Sequence, residues 1–207
     1  MFSKNCQLTF LSHLSSTSLI SHHVHFKGIE MDISIADRWC LPTNRLVQQC
    51  IDRCSVVLGL SLRTLIMFIK HWSKRRAIND SYHGLLNSFA FTLMAIHFAQ
   101  HLIARKSEIR NIADFTRGFF EFYAVIFRFD CFAVNIQGVD GMKKRTTDPM
   151  EIVDPIKSNK TATDRANVAG KVGYAQRWRI MSELRRAHRF FQHGTRPLLP
   201  RLLEPVT

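Results

Sequence analysis

The sequence predicts an α+β fold in which strands are confined to the first 36 residues and helices occupy most of the rest. Residues 1–36 mix Ser, Thr, Leu, Ile and Val in short runs. These runs end in the alternating segment Met31-Asp32-Ile33-Ser34-Ile35, which is typical of a half-buried strand. After Ala36, apolar residues recur at helical spacing instead. Because 46% of the 207 residues are apolar and 16 are Phe, the chain is able to bury a core, and disorder throughout is excluded.

We expect three segments: a strand-containing segment 1–36, a mainly helical domain 37–193, and a Pro-rich tail 194–207 in which three prolines end the ordered helix. Within the helical domain, the apolar spacing predicts helices over residues 46–58, 60–76, 84–105 and 171–194. The aromatic run that begins at Phe119 contains few cations, so it predicts core packing rather than a surface on which bases stack.

The predicted helix 60–76 has two distinct faces. Its apolar residues follow the i, i+3, i+4, i+7 rule and are predicted to face the core: Leu62, Leu65, Ile66, Ile69 and Trp72. Arg63, Lys70 and Lys74 fall on another face, because steps of seven and four residues return to within about 40° on an α-helix. This face is either a solvated basic surface or a phosphate-binding one. The adjoining loop Asn79-Asp80-Ser81 favours phosphate binding and supplies capping residues for the next helix.

The charge balance predicts a polyanionic partner. The chain has 29 Lys and Arg against 16 Asp and Glu, a net charge of +13 and a pI of about 10.1. Nucleic acid and an anionic membrane surface both fit such an excess. Residues 81–104 carry no charge and are long enough to test as a membrane span. Their internal His, Asn and Gln residues favour a buried helix, so we expect no membrane partner.

Cysteine usage and the N-terminal composition bear on the compartment. The five cysteines are odd in number, widely spread and contain no C-x-x-C pair, which favours small core residues in a reducing compartment. No acidic residue precedes Glu30, so a mitochondrial presequence stays open, although the same stretch has no Arg. We therefore expect a cytoplasmic or nuclear protein, with the mitochondrion as the alternative.

Five motifs together resemble a known family. Ile69-Lys70-His71-Trp72-Ser73-Lys74-Arg75-Arg76-Ala77-Ile78-Asn79-Asp80 and Gly84-Leu85-Leu86-Asn87-Ser88-Phe89-Ala90-Phe91-Thr92-Leu93-Met94 resemble the helical substrate domain of RNA terminal nucleotidyltransferases. This family comprises terminal uridylyltransferases and related poly(A) polymerases with a PAP-associated domain. Three further pieces match in the same order: the strand Met31–Ile35, the segment Phe119–Tyr123, and Asp154-Pro155 followed by Asn167-Val168. The resemblance covers roughly residues 18–190. It implies that residues 1–36 are part of a nucleotidyltransferase palm packed against a poly(A)-polymerase-like substrate-binding domain.

The resemblance implies transfer of UMP or AMP from an NTP to an RNA 3′ end by two-metal catalysis with Mg²⁺ or Mn²⁺. The implied partners are UTP or ATP, an RNA 3′ end and a larger RNA-processing complex. Asp32 matches the family's third catalytic carboxylate, which helps to bind a metal ion. The implied nucleotide-binding residues are Lys70 and Lys74 for the triphosphate, Ser88 for a phosphate, Phe89 for base stacking, Asn44 for the ribose and Asp154 for the base.

The sequence also departs from the family pattern. Nothing upstream of Asp32 matches the family's glycine-serine motif or its D-x-D pair. Thr43-Asn44 reverses the usual order, Phe89 replaces a Tyr, and Ala166 stands where uridylyltransferases often have His, so UTP and ATP both stay open. We therefore expect the chain to begin inside the palm and to be inactive alone, as a part of an RNA nucleotidyltransferase. The alternative is a catalytically inactive RNA- or nucleotide-binding accessory subunit of the same fold.

Overall fold

A computed structural model describes residues 20–26, 29–35, 40–138, 142–157, 166–193 and 198–206. The chain divides into two compact units, residues 1–45 and 46–207. The first unit contains strands β1 (Ile20–Phe26) and β2 (Ile29–Ile35). They form an antiparallel pair in which Ile20 lies opposite Ile35 and Phe26 opposite Ile29. The alternating segment is therefore a strand, whereas the strands expected over residues 1–19 fall outside the described residues.

Helices dominate the second unit, and the domain bounds 37–193 stay a prediction. They are α1 (Cys40–Leu58), which begins in the first unit, α2 (Leu62–Arg75), α3 (Ser88–Ala104), α4 (Ile112–Glu121), α5 (Tyr174–His193) and α6 (Leu198–Leu202). A single π-helical turn, Phe122–Ile126, continues α4. Between this turn and α5, the described residues pair at isolated bridges, such as Val134 with Ile152 and Val153 with Asn167.

Helix ends follow local capping chemistry. The Ser61 hydroxyl accepts the Thr64 N–H at 3.2 Å and starts α2. Just beyond the end of α2, Ala77 takes a left-handed conformation with φ 49°, as in helix C-caps. The Asn87 side chain accepts the Ala90 N–H at 2.8 Å and starts α3. The prediction that residues 79–81 cap this helix was wrong, because the chain first turns through residues 81–84 and Asn87 is the side chain next to the first helical turn.

The core is built from the predicted apolar faces. All five apolar residues predicted for α2 are buried. Helix α3 is buried along almost its whole length, which confirms the buried-helix interpretation of the uncharged stretch. Each fully buried large apolar side chain contributes about 1.5–3 kcal/mol to folding. The aromatic run is also core, as predicted: Phe115, Phe119, Phe120, Phe122, Tyr123 and Phe129 are at most 3% exposed.

Helix length and composition decide whether the described part of the chain could span a membrane. None of its helices is long and apolar enough to cross a membrane by itself. One pair, Leu41–Leu58 with Leu62–Arg75, passes jointly by length and composition but is bent by 116°.

The C-terminal segment differs from the predicted tail. Its described residues 198–206, here named the C-terminal strap, include α6 and the buried Leu202. Three arginines donate hydrogen bonds to strap carbonyls: Arg75 to Leu203 at 3.1 Å, Arg186 to Arg201 at 2.6 Å, and Arg76 to Glu204. Pro200 is compatible with α6 because it lies in the first turn, where backbone N–H groups have no helical acceptor. Pro197 lies outside the described residues.

Candidate nucleotide-binding site

A hydrogen-bonded corner joins the end of α2 to the start of α3. Asn79 donates through Nδ2 to the Ser73 hydroxyl at 3.1 Å and to the Ser88 hydroxyl at 3.0 Å. Ser73 in turn donates to the Lys70 carbonyl at 3.0 Å. These bonds hold Ser88 beside the turn of α2 that carries Lys70 and Lys74. We name these five residues, Lys70, Ser73, Lys74, Asn79 and Ser88, the α2–α3 corner.

The two lysines of the corner have no acidic partner among the residues that the structure describes. Lys70 and Lys74 are one helical turn apart, so their side chains share a face of α2. Lys74 is exposed and Lys70 half-buried. The corner therefore presents two positive charges that are available to an anion.

The first turn of α3 adds backbone donors to the corner. Ser88 and Phe89 are its first helical residues, and N–H groups at these positions have no intrahelical acceptor. The positive end of the helix dipole favours an anion at the same place. The Phe89 ring is half-buried against the core, and no other described aromatic ring contacts it. The structure thus brings Lys70, Lys74, Ser88 and Phe89 together in one region, and their contacts with a nucleotide stay a prediction.

The loop between α2 and α3 is tightly folded. One oxygen of the Asp80 carboxylate accepts the N–H groups of Tyr82 and His83, at 3.1 and 3.3 Å. Its other oxygen lies 2.5 Å from His83 Nδ1, and this hydrogen bond lowers the pKa of Asp80. Gly84 has φ +74°, and a Cβ placed on it would lie 3.1 Å from the Lys171 carbonyl. The loop therefore runs against the segment that precedes α5.

Asp154 lies in a loop that is hydrogen-bonded to the segment preceding α5. Its Oδ1 accepts the N–H groups of Ile156 and Lys157, each at 3.0 Å. Its own N–H donates to the Ala166 carbonyl at 2.9 Å. Asp154 is 8% exposed, so the carboxylate organises this loop from a largely buried position. Its predicted contact with the nucleotide base stays a prediction.

The Asn167 side chain stabilises that loop through four hydrogen bonds. Its side-chain amide donates to Asp148 Oδ2 and to the Met150 carbonyl, both at 2.8 Å. Its side-chain oxygen accepts the N–H groups of Ile152 and Ala169, both at 2.9 Å. All four hydrogen-bonding positions of the side-chain amide are therefore used within the protein, which gives the motif residue a structural role.

The remaining predicted residues belong to the first unit. Asp32 lies in β2, in register with His23 of β1. Asn44 lies in α1 with an exposed side chain. Among the described residues, no three His, Cys, Asp or Glu side chains lie close enough to hold a metal ion. The described residues therefore do not by themselves supply the carboxylate cluster that Mg²⁺ or Mn²⁺ needs.

Cysteine chemistry does not contribute to the corner. Cys54 is 3% exposed, and burial raises the pKa of its thiol to about 11. Burial also raises the pKa of Cys50. Both thiols therefore stay protonated at neutral pH, as expected for small residues packed against the core.

Sequence reasoning missed two features of this region. It assigned Asn79 to helix capping and overlooked its bridge from Ser73 to Ser88. The signal was present, because short polar residues occur near the end of α2, in the connecting loop and at the start of α3: Ser73, Asn79 and Ser88. It also overlooked Tyr174 and Trp178, which lie four residues apart on the exposed face of α5.

The fold is that of Cid1-like nucleotidyltransferases. A variant of Cid1 poly(U) polymerase bound to MgATP matches with a TM-score of 0.75 and 20% identity, over 95% of this chain and 72% of that chain. A cytoplasmic RNA terminal U-transferase matches with a TM-score of 0.73 and 20% identity, over 96% and 73%. Cid1 in complex with its short product ApU matches with a TM-score of 0.72 and 20% identity, over 95% and 73%.

Two curated proteins match in sequence. Terminal uridylyltransferase cid1 of Schizosaccharomyces pombe is 37% identical over 46 residues, which are 22% of this chain and 11% of that enzyme. Poly(A) RNA polymerase CID14 of Cryptococcus neoformans is 27% identical over 113 residues, 53% of this chain and 14% of that protein. The matches therefore span less than a sixth of either relative, and no family model matches the chain. Structure and sequence together confirm the predicted resemblance to the RNA terminal nucleotidyltransferase family.

Proposed function

We propose that this chain supplies the nucleotide-binding part of a template-independent RNA 3′-terminal nucleotidyltransferase, which adds UMP or AMP to RNA. The α2–α3 corner carries the proposal, because it combines a serine at a helix N-terminus with two lysines that have no acidic partner in the described part of the chain. Phosphate binding needs this combination of cations and backbone donors. The MgATP and ApU complexes of similar structures support an NTP and an RNA 3′ end as partners.

The corner would act mainly on the triphosphate. In the proposed reaction the RNA 3′ oxygen forms a bond to the α-phosphorus, and the bond from this phosphorus to the bridging oxygen of the pyrophosphate breaks. The pyrophosphate leaves with the extra negative charge. Lys70 and Lys74 would stabilise that charge as point charges, and Ser88 would hydrogen-bond a phosphate oxygen. Because phosphoryl transfer depends on positioning and electrostatics, losing these contacts should weaken both binding and turnover.

We assign the nucleoside contacts from the family resemblance. Phe89 would stack on the base with its partly exposed ring, Asn44 would contact the ribose, and the loop organised by Asp154 would help to read the base. Phe89 preserves stacking but lacks a phenolic hydroxyl, and Ala166 cannot donate a hydrogen bond from its side chain. This part of the proposal is therefore compatible with either UTP or ATP.

We further propose that β1 and β2 are palm strands and that Asp32 is the metal-binding carboxylate. One carboxylate does not satisfy two divalent ions, each of which takes about six oxygen ligands, and the sequence contains no D-x-D pair. The chain by itself is therefore proposed to be inactive in transfer. The proposed setting is a larger RNA-processing complex in the cytoplasm or nucleus, with the mitochondrion as the alternative.

The first test is nucleotide binding by the full 207-residue chain. Lys70→Ala and Lys74→Ala should each weaken binding of a fluorescent UTP or ATP in the presence of Mg²⁺. A hydrogen bond to a charged group contributes about 1.5–3 kcal/mol, so each loss should be about ten- to a hundredfold. Lys143→Ala is the matched control, because it removes an equally charged, exposed lysine from a different loop. Equal losses in all three variants would reject the site and leave only a general effect of charge.

The second test is RNA extension. The chain, alone and extended by any in-frame upstream sequence that carries a D-x-D pair, is incubated with labelled RNA, Mg²⁺ or Mn²⁺ and each NTP. We expect the extended form to lengthen RNA 3′ ends and Lys70→Ala with Lys74→Ala to abolish this activity. If no form lengthens RNA although NTP binding through the corner is intact, the transferase proposal fails. Such a result would favour an inactive accessory subunit.

A further inference from the structure

The outward face of α5 carries a stripe of aromatic and basic side chains. Tyr174, Trp178, Ser182, Arg185 and Arg189 follow one another in steps of three or four residues, which keeps them within a band about 80° wide. We name them the α5 stripe. Tyr174 is 74% and Trp178 70% exposed, and both arginines are exposed as well. The stripe extends about 22 Å along the helix axis.

The exposure of the two aromatic rings is not explained by packing. The opposite face of α5 buries Ile180, Leu184 and Ala187, so the helix is already anchored in the core. Neither exposed ring contacts another ring in the part of the chain that the structure describes. Aromatic side chains four residues apart on a helix have Cβ atoms about 5–6 Å apart, so both rings are available on the same side. Large aromatic groups left in water at this spacing indicate a ligand with flat apolar faces.

The charges on the stripe point to a polyanion. Arg185 and Arg189, with the adjacent exposed Arg179, have no acidic partner among the described residues. The one acidic residue of α5, Glu183, lies on a different face and binds Arg76 through both carboxylate oxygens. The stripe therefore has only positive charge, and no acidic side chain in the described ranges neutralises it.

We infer that the α5 stripe binds single-stranded RNA, with bases stacked on Tyr174 and Trp178 and phosphates bound by Arg185 and Arg189. Stacked aromatic side chains beside cations are the pattern by which proteins hold unpaired nucleotides. A membrane-surface helix would present a broad aliphatic face, whereas this stripe has no Leu, Ile, Val or Met. The inference rests on the proposed function, which it extends by locating a surface for the RNA substrate outside the α2–α3 corner.

Aromatic substitutions test the stacking. The full chain is titrated with a short, fluorescein-labelled single-stranded RNA, and binding is followed by fluorescence anisotropy. Trp178→Ala should weaken binding roughly 5- to 150-fold, the range measured for loss of one stacked base, whereas Trp178→Phe should stay close to the original protein. RNA should also quench the indole fluorescence of the original chain more than that of Trp178→Phe, because Trp178 is exposed, Trp72 is fully buried and Trp39 is present in both proteins. Equal affinities for the Ala and Phe variants and the original chain would overturn the inference.

Arginine substitutions test the phosphate contacts. Arg185→Ala with Arg189→Ala is compared with Arg105→Ala and Arg110→Ala, which remove the same charge from exposed positions away from α5. The slope of log affinity against log salt should fall by about 1.4 for the stripe pair, since each single-strand phosphate contact contributes about 0.7. The control pair should leave the slope nearly unchanged. If the two double variants reduce RNA affinity and the salt slope equally, RNA binding depends only on net charge and the inference is wrong.

The same variants separate this inference from the proposed function and from other occupants of the stripe. NTP binding is measured in parallel. Stripe variants that lose RNA but keep NTP support the inference, even if NTP binding proves independent of Lys70 and Lys74 and the proposed function fails. Stripe variants that keep RNA overturn it, even if NTP binds at the corner. Two further results overturn it: conversion of a dimer to a monomer, or loss of binding to anionic phosphatidylserine vesicles, in each case with unchanged RNA affinity.

Discussion

The contact between α2 and α5 leads to a sharp stability prediction. Arg76, which follows α2, donates to both carboxylate oxygens of Glu183 on α5, at 2.7 and 3.0 Å. The two side chains are only 9% and 15% exposed. The Glu183 hydrogen bond raises the pKa of Arg76, so this guanidinium is charged at every ordinary pH. We predict that Glu183→Ala strongly lowers the free energy of unfolding.

The magnitude follows from burial and from the partners that remain. Removing one member of a buried ion pair costs about 3–5 kcal/mol, because the other charge stays buried without its partner. Arg76 keeps its hydrogen bond to the Glu204 carbonyl, so we expect the lower end, about 3 kcal/mol. The Arg177–Asp130 pair supplies a control with a 2.5 Å contact, in which the Asp130 side chain is 67% exposed. Asp130→Ala should cost less, about 1 kcal/mol, because solvent screens the exposed Asp130 carboxylate, although the Arg177 side chain is itself only 19% exposed.

The assay is urea-induced unfolding followed by circular dichroism for the original chain, Glu183→Ala, Asp130→Ala and a double variant. In the double variant, Arg76→Met accompanies Glu183→Met, which replaces the charges with apolar groups and should recover most of the stability. Equal costs for Glu183→Ala and Asp130→Ala would refute the reasoning, because burial would then make no difference to the strength of the pair.

Three further perturbations address the core, the loop and the thiols. In Gly118→Ala, the new Cβ would lie 3.0 Å from Phe98 Cζ in the buried aromatic cluster, so overpacking should outweigh the gain in helix propensity and cost about 1 kcal/mol in thermal unfolding; a rise in stability would contradict this. Asn167→Ala removes four hydrogen bonds and should cost about 2–4 kcal/mol in urea unfolding; Asn167→Asp should be no milder, because it keeps both acceptor contacts but sets a carboxylate against the Asp148 carboxylate and the Met150 carbonyl. Burial raises the Cys54 pKa from its ordinary value of 9.0 to about 11, so the unfolded state ionises first and stability should fall as pH rises through this interval. Cys54→Ala should flatten that part of the curve of unfolding free energy against pH. An unchanged slope would contradict the raised pKa of Cys54.

Periodic segments of the chain could be predicted because one physical cause dominates them. The apolar spacing of Leu62, Leu65 and Ile69 requires a helix with one buried face, and the structure buries all three. The alternation around Asp32 likewise predicts a strand, and this strand is β2. Lys70 and Lys74 could be placed on one face from spacing alone, because four residues make about one turn.

Features that depend on distant partners could not be read in the same way. The start of α3 was placed too early because Asn79, Asp80 and Asn87 are all plausible caps in sequence, and tertiary bonds assign Asn79 to Ser73 and Ser88. The exposure of Trp178 depends on which face of α5 meets the core, which local periodicity does not decide when arginines occur on several faces.

The ordered docking of the C-terminal strap is hard to predict from the strap's residue types. Arg75, Arg76 and Arg186 bind main-chain oxygens, which every amino acid possesses, so these hydrogen bonds do not depend on which side chains the strap carries. Apart from the buried Leu202, the partly buried Leu203 and Glu204, which pairs with Arg186, the strap can therefore vary in sequence while the three arginines cannot. Selection for this docking should therefore be visible in related sequences as arginines retained on α2 and α5, opposite a C-terminal segment of variable composition.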